Sequence, residues 1–110
     1  MSNKSEEIQK LSETIRAAAD AGNLLLIPRD KTLITIASLG ITTEAAIEEI
    51  VALNDSDYES GPEDDRDRPG SGDIWIFKKA IMGYPMYIKL KDEMETKGIV
   101  KIISFHIDGA

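Results

Sequence analysis

The sequence predicts an α+β domain in which amino-terminal helices pack on a twisted, mainly antiparallel β-sheet. Three observations carry that expectation. Apolar residues recur at helical spacing up to Leu53, and from Asp73 onward they recur with period two. The 110 residues, 42% hydrophobic and 30% charged, suffice for one core and not two, so residues 1–110 read as a single domain.

The helical half spans about residues 1–53. Ile8, Leu11, Ile15, Ala18 and Ala19 form one apolar stripe between Asn3 and Ala21, with Asn3 and Glu6 spaced as a capping box and Gly22 as the stop. Leu24 to Ile27 is a short apolar run halted by Pro28, which suits a brief strand or a plain connector. Asp30 is placed to cap a second helix ending at Gly40, although Thr32, Ile34, Thr35 and Ile36 also suit a strand. Thr42 or Thr43 caps a third helix whose Ala46, Ile47, Ile50, Val51 and Leu53 face away from Glu44, Glu48 and Glu49.

Residues 54–73 form an acidic connection, rich in glycine and proline, in which no regular element is expected. Connections of this length inside a compact domain are functional or disordered, and a lid that orders on binding is one reading. The sheet half, 74–110 with Asp73 leading in, predicts strands at Asp73 to Lys79, Met86 to Lys91 and Ile99 to Ile107, with a turn bounded by Gly83 and Pro85. Met86, Ile88 and Leu90 alternate with Tyr87, Lys89 and Lys91. Ile103, Phe105 and Ile107 alternate with Ile102, Ser104 and His106. Trp75 and Phe77 go to the core.

Charge and composition bound the function. With no cysteine there is neither a disulfide framework nor a thiolate metal site, and a reducing, cytoplasmic setting follows as the expectation. The first twenty residues carry four acids and no continuous apolar run, so they read as neither signal peptide nor membrane span. The net charge of -7 is uneven: residues 74–110 hold six lysines and four acids, a balance of +2, and the rest carries -9. The sheet half is therefore the anion-facing half.

Lys78, Tyr87, Lys89, Lys91, Ser104 and His106 fall on the expected polar face. Such a set can bind a phosphodiester, take a proton from a ribose 2′-hydroxyl, protonate the leaving oxygen and stabilise charge at phosphorus. Tyr87, His106 and Lys89 are the candidate catalytic residues. Lys78, Lys91, Ser104, and Arg66 and Arg68 from the connection, are the candidates for holding substrate. The same lysines also serve simply to keep a sheet soluble, and Tyr87 also serves as an ordinary strand aromatic, so periodicity alone leaves both readings open.

No cofactor or metal site is expected. Asp55, Asp57 and Glu59 alternate as in a calcium loop, but the twelfth position from Asp55 is Arg66 where a bidentate glutamate is needed, and no glycine stands at the sixth. Phosphate-binding loops, dinucleotide fingerprints, HExxH and nucleophile elbows are all absent from the sequence.

Several segments occur in a recognisable order: LGI at 39–41, VALNDSDY at 51–58, DIWIFKK at 73–79, YIKLK at 87–91 and IISF at 102–105. In these the chain from Leu39 onward resembles the MqsR toxins, small RelE-like messenger RNA interferases of type II toxin-antitoxin systems. The resemblance implies a RelE-like helix-plus-twisted-sheet fold, a metal-independent endoribonuclease acting on messenger RNA, and a cognate antitoxin as partner. Tyr87 matches a family tyrosine, and His106 stands where the family has a lysine. Ser60 and Ile76 fall where a lysine and a glutamine are expected, and the acidic charge contrasts with the basic character of the family. A catalytically silent protein-binding module of the same fold is the alternative.

Overall fold

Three helices, α1 (Lys4–Asp20), α2 (Asp30–Leu39) and α3 (Thr43–Val51), lie in the first half of the chain, with the strand β1 (Leu24–Leu26) between the first two. A 3₁₀ turn (Asp55–Asp57) then leads into β2 (Tyr58–Asp64), β3 (Asp73–Ile81), β4 (Tyr84–Glu93) and β5 (Ile99–Ile107), with the one-turn helix α4 (Met94–Lys97) before the last strand. The computed structural model describes residues 4–109, so the capping box that includes Asn3 lies outside the described residues. The sheet order is β1-β5-β4-β3-β2, parallel only between β1 and β5. The class is α+β, as the patterning predicts. Among the described residues no helix is long and apolar enough to cross a membrane.

Helices α1 and α3 form because each presents one apolar stripe to one face of the sheet. Ile8, Leu11, Ile15 and Ala18 of α1 are buried, as are Ala46 and Ile50 of α3. The Thr42 hydroxyl accepts the Ala45 amide at 3.0 Å and starts α3, while Gly40, at φ 68°, supplies the left-handed turn that ends α2. Opposite them Met86, Ile88, Leu90, Val100, Ile102 and Phe105 have no exposed surface. Burying each contributes roughly 1.5–3 kcal/mol.

The second helix forms despite its β-branched residues because tertiary partners outweigh local preference. Beyond Leu26 the outer edge of β5 has no strand beside it, and α2 takes that place: the buried Thr32 hydroxyl accepts the Phe105 amide at 3.2 Å. The expected cap is corrected, since Arg29 is the N-cap residue, without a side-chain cap bond, and Asp30 is the first helical residue.

The connection is more ordered than its composition suggests. The Asn54 side chain accepts the Ser56 amide at 2.9 Å, and Asp57 accepts that of Asn54 at 3.1 Å, closing the 3₁₀ turn. Tyr58 then packs edge-on against Trp75 and Phe77, at 6.2 Å in each case, and starts β2 along β3. Gly61 permits the close approach, because a Cβ there would lie 2.5 Å from the Ile74 carbonyl oxygen. Two register shifts interrupt β2, so it has no continuous alternation to read.

The phase expected for β5 is also corrected. Ser104 pairs with Lys89 and Ile102 with Leu90, leaving Ile103 as the extra residue of a bulge. Ile102 therefore joins the core and Ile103 moves to the opposite face. β3 and β4 run on to a two-residue turn in which both Met82 (φ 54°) and Gly83 (φ 82°) are left-handed.

Replacing Thr32 by valine keeps shape and burial but leaves the Phe105 amide without its acceptor. We predict a loss of about 1–3 kcal/mol in urea unfolding. Thr14→Val, which removes only an exposed hydroxyl bond within α1, should stay within about 0.5 kcal/mol of wild type.

Candidate functional site: the uncovered sheet face

Helices α1 and α3 cover one face of the sheet, and the registers order the other into rows. The first row is Lys78, Tyr87 and His106; the second is Ser60, Ile76, Lys89 and Ser104; the third is Ile74, Lys91 and Lys101. Successive rows are about 7 Å apart, two residues along a strand. The face thus brings together every strand residue singled out by alternation.

In the first row the rings of Tyr87 and His106 stack, with centroids 5.1 Å apart and planes at 22°. His106 Nδ1 lies 3.0 Å from the Ile107 carbonyl oxygen. A carbonyl only accepts, so we assign the proton of the neutral ring to Nδ1, which leaves Nε2 as its basic atom. Lys78 Nζ is 3.3 Å from an Asp108 carboxylate oxygen and 3.8 Å from one of Glu59. The Asp108 hydrogen bond and charge, then Glu59, hold the lysine above its ordinary value. The groups are well exposed, and such pairs are readily exchanged for another anion.

In the second row Ser104, 9% exposed, stands beside Lys89. The Lys89 ammonium makes no ion pair among the described residues.

The third row is closed by the arm formed by residues 65–71. Lys91, 5% exposed, has its ammonium 2.7 Å from Asp65 Oδ2, 2.7 Å from Ser71 Oγ and 3.6 Å from Glu93 Oε2. The Asp65 hydrogen bond, against the effect of burial, raises this lysine. Its charge is therefore engaged within the fold, and Lys91 anchors the arm. Glu93 is 1% exposed; Lys101 approaches Oε1 to 2.7 Å, without an aligned hydrogen bond, and Lys97 lies 3.8 Å from Oε2. Burial pushes the Glu93 carboxyl up, but Lys101, Lys91 and Lys97 together outweigh it and hold it below its ordinary value. Thr96 donates to the Ser71 carbonyl at 2.8 Å, and at Gly72 a Cβ would lie 2.5 Å from the Asp92 carbonyl oxygen, so the arm rests directly on β4.

Held in this way, the arm carries Arg66 and Arg68 to the wall of a cleft of about 610 Å³, with Arg29 as another wall residue and Lys89, Ile74 and Ile103 on its floor. The guanidinium groups of Arg29, Arg66 and Arg68 form no ion pair or hydrogen bond among the described residues. Four acids share the lining, Glu63, Asp64, Asp65 and Asp67. Asp65 is taken by Lys91 and Asp64 accepts the Gly70 amide at 2.9 Å. Four cations without an ion-pair partner thus meet three acids without one, Glu63, Asp64 and Asp67, a small positive excess in a chain of net charge -7.

Sequence reasoning misses Arg29. It lies in the acidic half, and only its position just after Pro28, at a helix start, marks it. The three acids of the calcium-like spacing diverge: Asp55 accepts from Ser5, Asp57 caps the 3₁₀ turn and Glu59 faces Lys78. Across the far end of the sheet Asp64, Asp73 and Asp92 stand opposite one another; burial, with Asp92, Asp64 and Glu95, pushes the Asp73 carboxyl up.

No protein-family model matches the chain, and no curated protein matches it.

The Asp65 carboxyl is held below the ordinary aspartate range, first by the Lys91 hydrogen bond and then by the Asp67 amide. A depressed carboxyl lends its stabilisation above the unfolded value, about 3.9, and loses it as pH falls through the lowered one. We predict that the backbone amide signals of residues 65–71 stay constant from neutral pH to about 4 and shift below it, and that Asp65→Asn removes this transition. At neutral pH the same variant should be cut by trypsin after Arg66, the one susceptible bond of the arm since Pro69 protects Arg68, several-fold faster than wild type; equal rates would show that the ion pair does not hold the arm.

Proposed function

We propose that this protein is a messenger RNA endoribonuclease, the toxin of a type II toxin-antitoxin pair of the MqsR-like, RelE-like kind. The observation that carries the reading is the stacked Tyr87 and His106 pair on an uncovered face, one row from the unengaged Lys89. The positions that the resemblance singles out, Ser60, Ile76, Tyr87 and His106, occupy two adjacent rows of that one face, as a shared site requires.

The reaction follows from the groups present. His106 Nε2 takes the proton of a ribose 2′-hydroxyl, whose oxygen attacks the adjacent phosphorus. The bond from phosphorus to the 5′ oxygen breaks, giving a 2′,3′-cyclic phosphate and a free 5′-hydroxyl. Tyr87 orients the phosphate and donates to the departing oxygen, and the Lys89 ammonium stabilises the extra charge at phosphorus. Lys78, on the same row as the pair, exchanges its exposed carboxylate partners for a neighbouring phosphate. Ser104 offers a hydroxyl to the same chain. In this scheme the positive charge at phosphorus comes from lysine, in keeping with the metal-independent chemistry that the resemblance implies. The cytoplasm is the compartment that holds such a substrate, and a cognate antitoxin is the expected regulator, covering the face or adding a strand at the β2 edge.

A second reading is a catalytically silent protein-binding module of the same fold. It is favoured by the second row, where Ser60 and Ile76 supply neither the charge nor the amide that the resemblance expects, and by the half-buried Ile74, Ile76 and Ile103 on the uncovered face.

Purified protein incubated with a mixed RNA substrate in excess chelator should cut it. His106→Ala should lower the rate by about a hundredfold or more, and Tyr87→Phe by a smaller factor, with circular dichroism spectra unchanged. A folded wild-type protein that leaves RNA intact would exclude the nuclease reading and favour the binding module.

A further inference from the structure

We infer that Arg29, Arg66 and Arg68, with Lys89 at the floor, form a second phosphate subsite that holds the backbone of single-stranded RNA beside the bond being cut. The inference rests on the reading of this face as an RNA surface, and it adds residues and a substrate form which that reading leaves open.

The argument starts from where the charges are unengaged. Lys91 and Lys101 line the same cleft, but each is tied to a buried carboxylate or to the arm, so neither is available to a ligand. Arg29, Arg66, Arg68 and Lys89 have no such partner among the described residues. Three of the four are arginines, whose planar fork matches two phosphate oxygens at once and is weakly hydrated. They come from separate parts of the fold, the start of α2 and the latched arm, and converge on one concave surface.

Position relative to the first row gives the ligand its form. Lys89 belongs both to the cleft floor and to the row next to Tyr87 and His106, so the cleft opens directly off the reactive pair. Rows about 7 Å apart match the step between successive phosphates of an extended single strand. A cleft of about 610 Å³ accommodates one or two nucleotides and excludes a double helix. Half-buried Ile74 and Ile103 offer an apolar surface for a base, and the three acids without a cationic partner, Glu63, Asp64 and Asp67, still leave the four cations in excess. A single phosphodiester at the first row needs only Lys89 of these groups; a chain of several nucleotides also uses the three arginines and the apolar floor.

The test is fluorescence anisotropy with a short 2′-O-methyl RNA, which lacks the attacking hydroxyl and cannot be cut. Wild type should bind it with an affinity that falls steeply with salt. The triple variant Arg29→Ala, Arg66→Ala, Arg68→Ala should bind more than about tenfold more weakly and lower the salt slope by about 2, since each single-strand phosphate contact contributes about 0.7. Arg16→Ala, an exposed cation on α1, should bind as wild type. His106→Ala should bind normally while failing to cut cleavable RNA, which separates the subsite from the reaction. If wild type binds through these arginines but cuts nothing, the nuclease reading fails and the subsite stands. Equal affinity of the triple variant and wild type, equal weakening by Arg16→Ala, or no binding by wild type would overturn the inference.

Discussion

One layer of helix can cover only one face of a sheet, and the rest of this structure depends on that limit. β3, β4 and β5 alternate their side chains, so each must commit one set to the core under α1 and α3 and leave the other set without a packing layer. The core set is apolar and buried through the middle of the sheet, with Asp73, Lys79 and Asp92 only towards its ends. The remaining set cannot be apolar throughout without inviting aggregation, and it is here a grid of Lys78, Tyr87, Lys89, Ser104 and His106 ordered by hydrogen-bonded register. The relative placement of the reactive groups is thus fixed by the backbone ladder.

The second organising feature is the division of charge. An acidic chain keeps a cationic surface by holding most of its acids on the helices and the connection, and by neutralising internally the cations it does not present. Glu93, buried, gathers Lys91, Lys97 and Lys101; Asp65 adds a second hold on Lys91. Buried ion pairs of this kind add little net stability, but removing one partner costs about 3–5 kcal/mol because the other charge is left stranded. The cluster therefore specifies where the arm lies more than it strengthens the fold, and it is the arm that brings Arg66 and Arg68 to the cleft.

Much of this was legible in the sequence, and the gaps have physical causes. Period-two alternation in β4 put Tyr87 and Lys89 on the uncovered face, and the helical stripes of α1 and α3 were clear from Leu11, Ile15, Ala46 and Ile50. Alternation alone gives β5 the wrong phase at Ile102 and Ile103, because a bulge adds a residue without leaving a mark in composition. β2 is hidden in the sequence because Gly61, Pro62 and three acids look like loop, whereas Tyr58 draws the segment onto Trp75 and Phe77 by a contact that only the tertiary structure creates. Lys91 has the sequence signature of a free cation, whereas its burial beneath the arm depends on Asp65 and Ser71, 26 and 20 residues earlier in the chain. Arg29 gave no periodic signal, and its place at the cleft follows from the parallel pairing of β1 with β5.

The most direct test of the central claim is to map, by backbone amide chemical shifts, where an uncleavable single-stranded RNA contacts the folded protein. The account predicts perturbations that concentrate at Tyr87, Lys89, Ser104 and His106 and extend to Arg29 and the arm, with α1 and α3 unaffected. Perturbations confined to the helical face or to the β2 edge, or none at all, would contradict it.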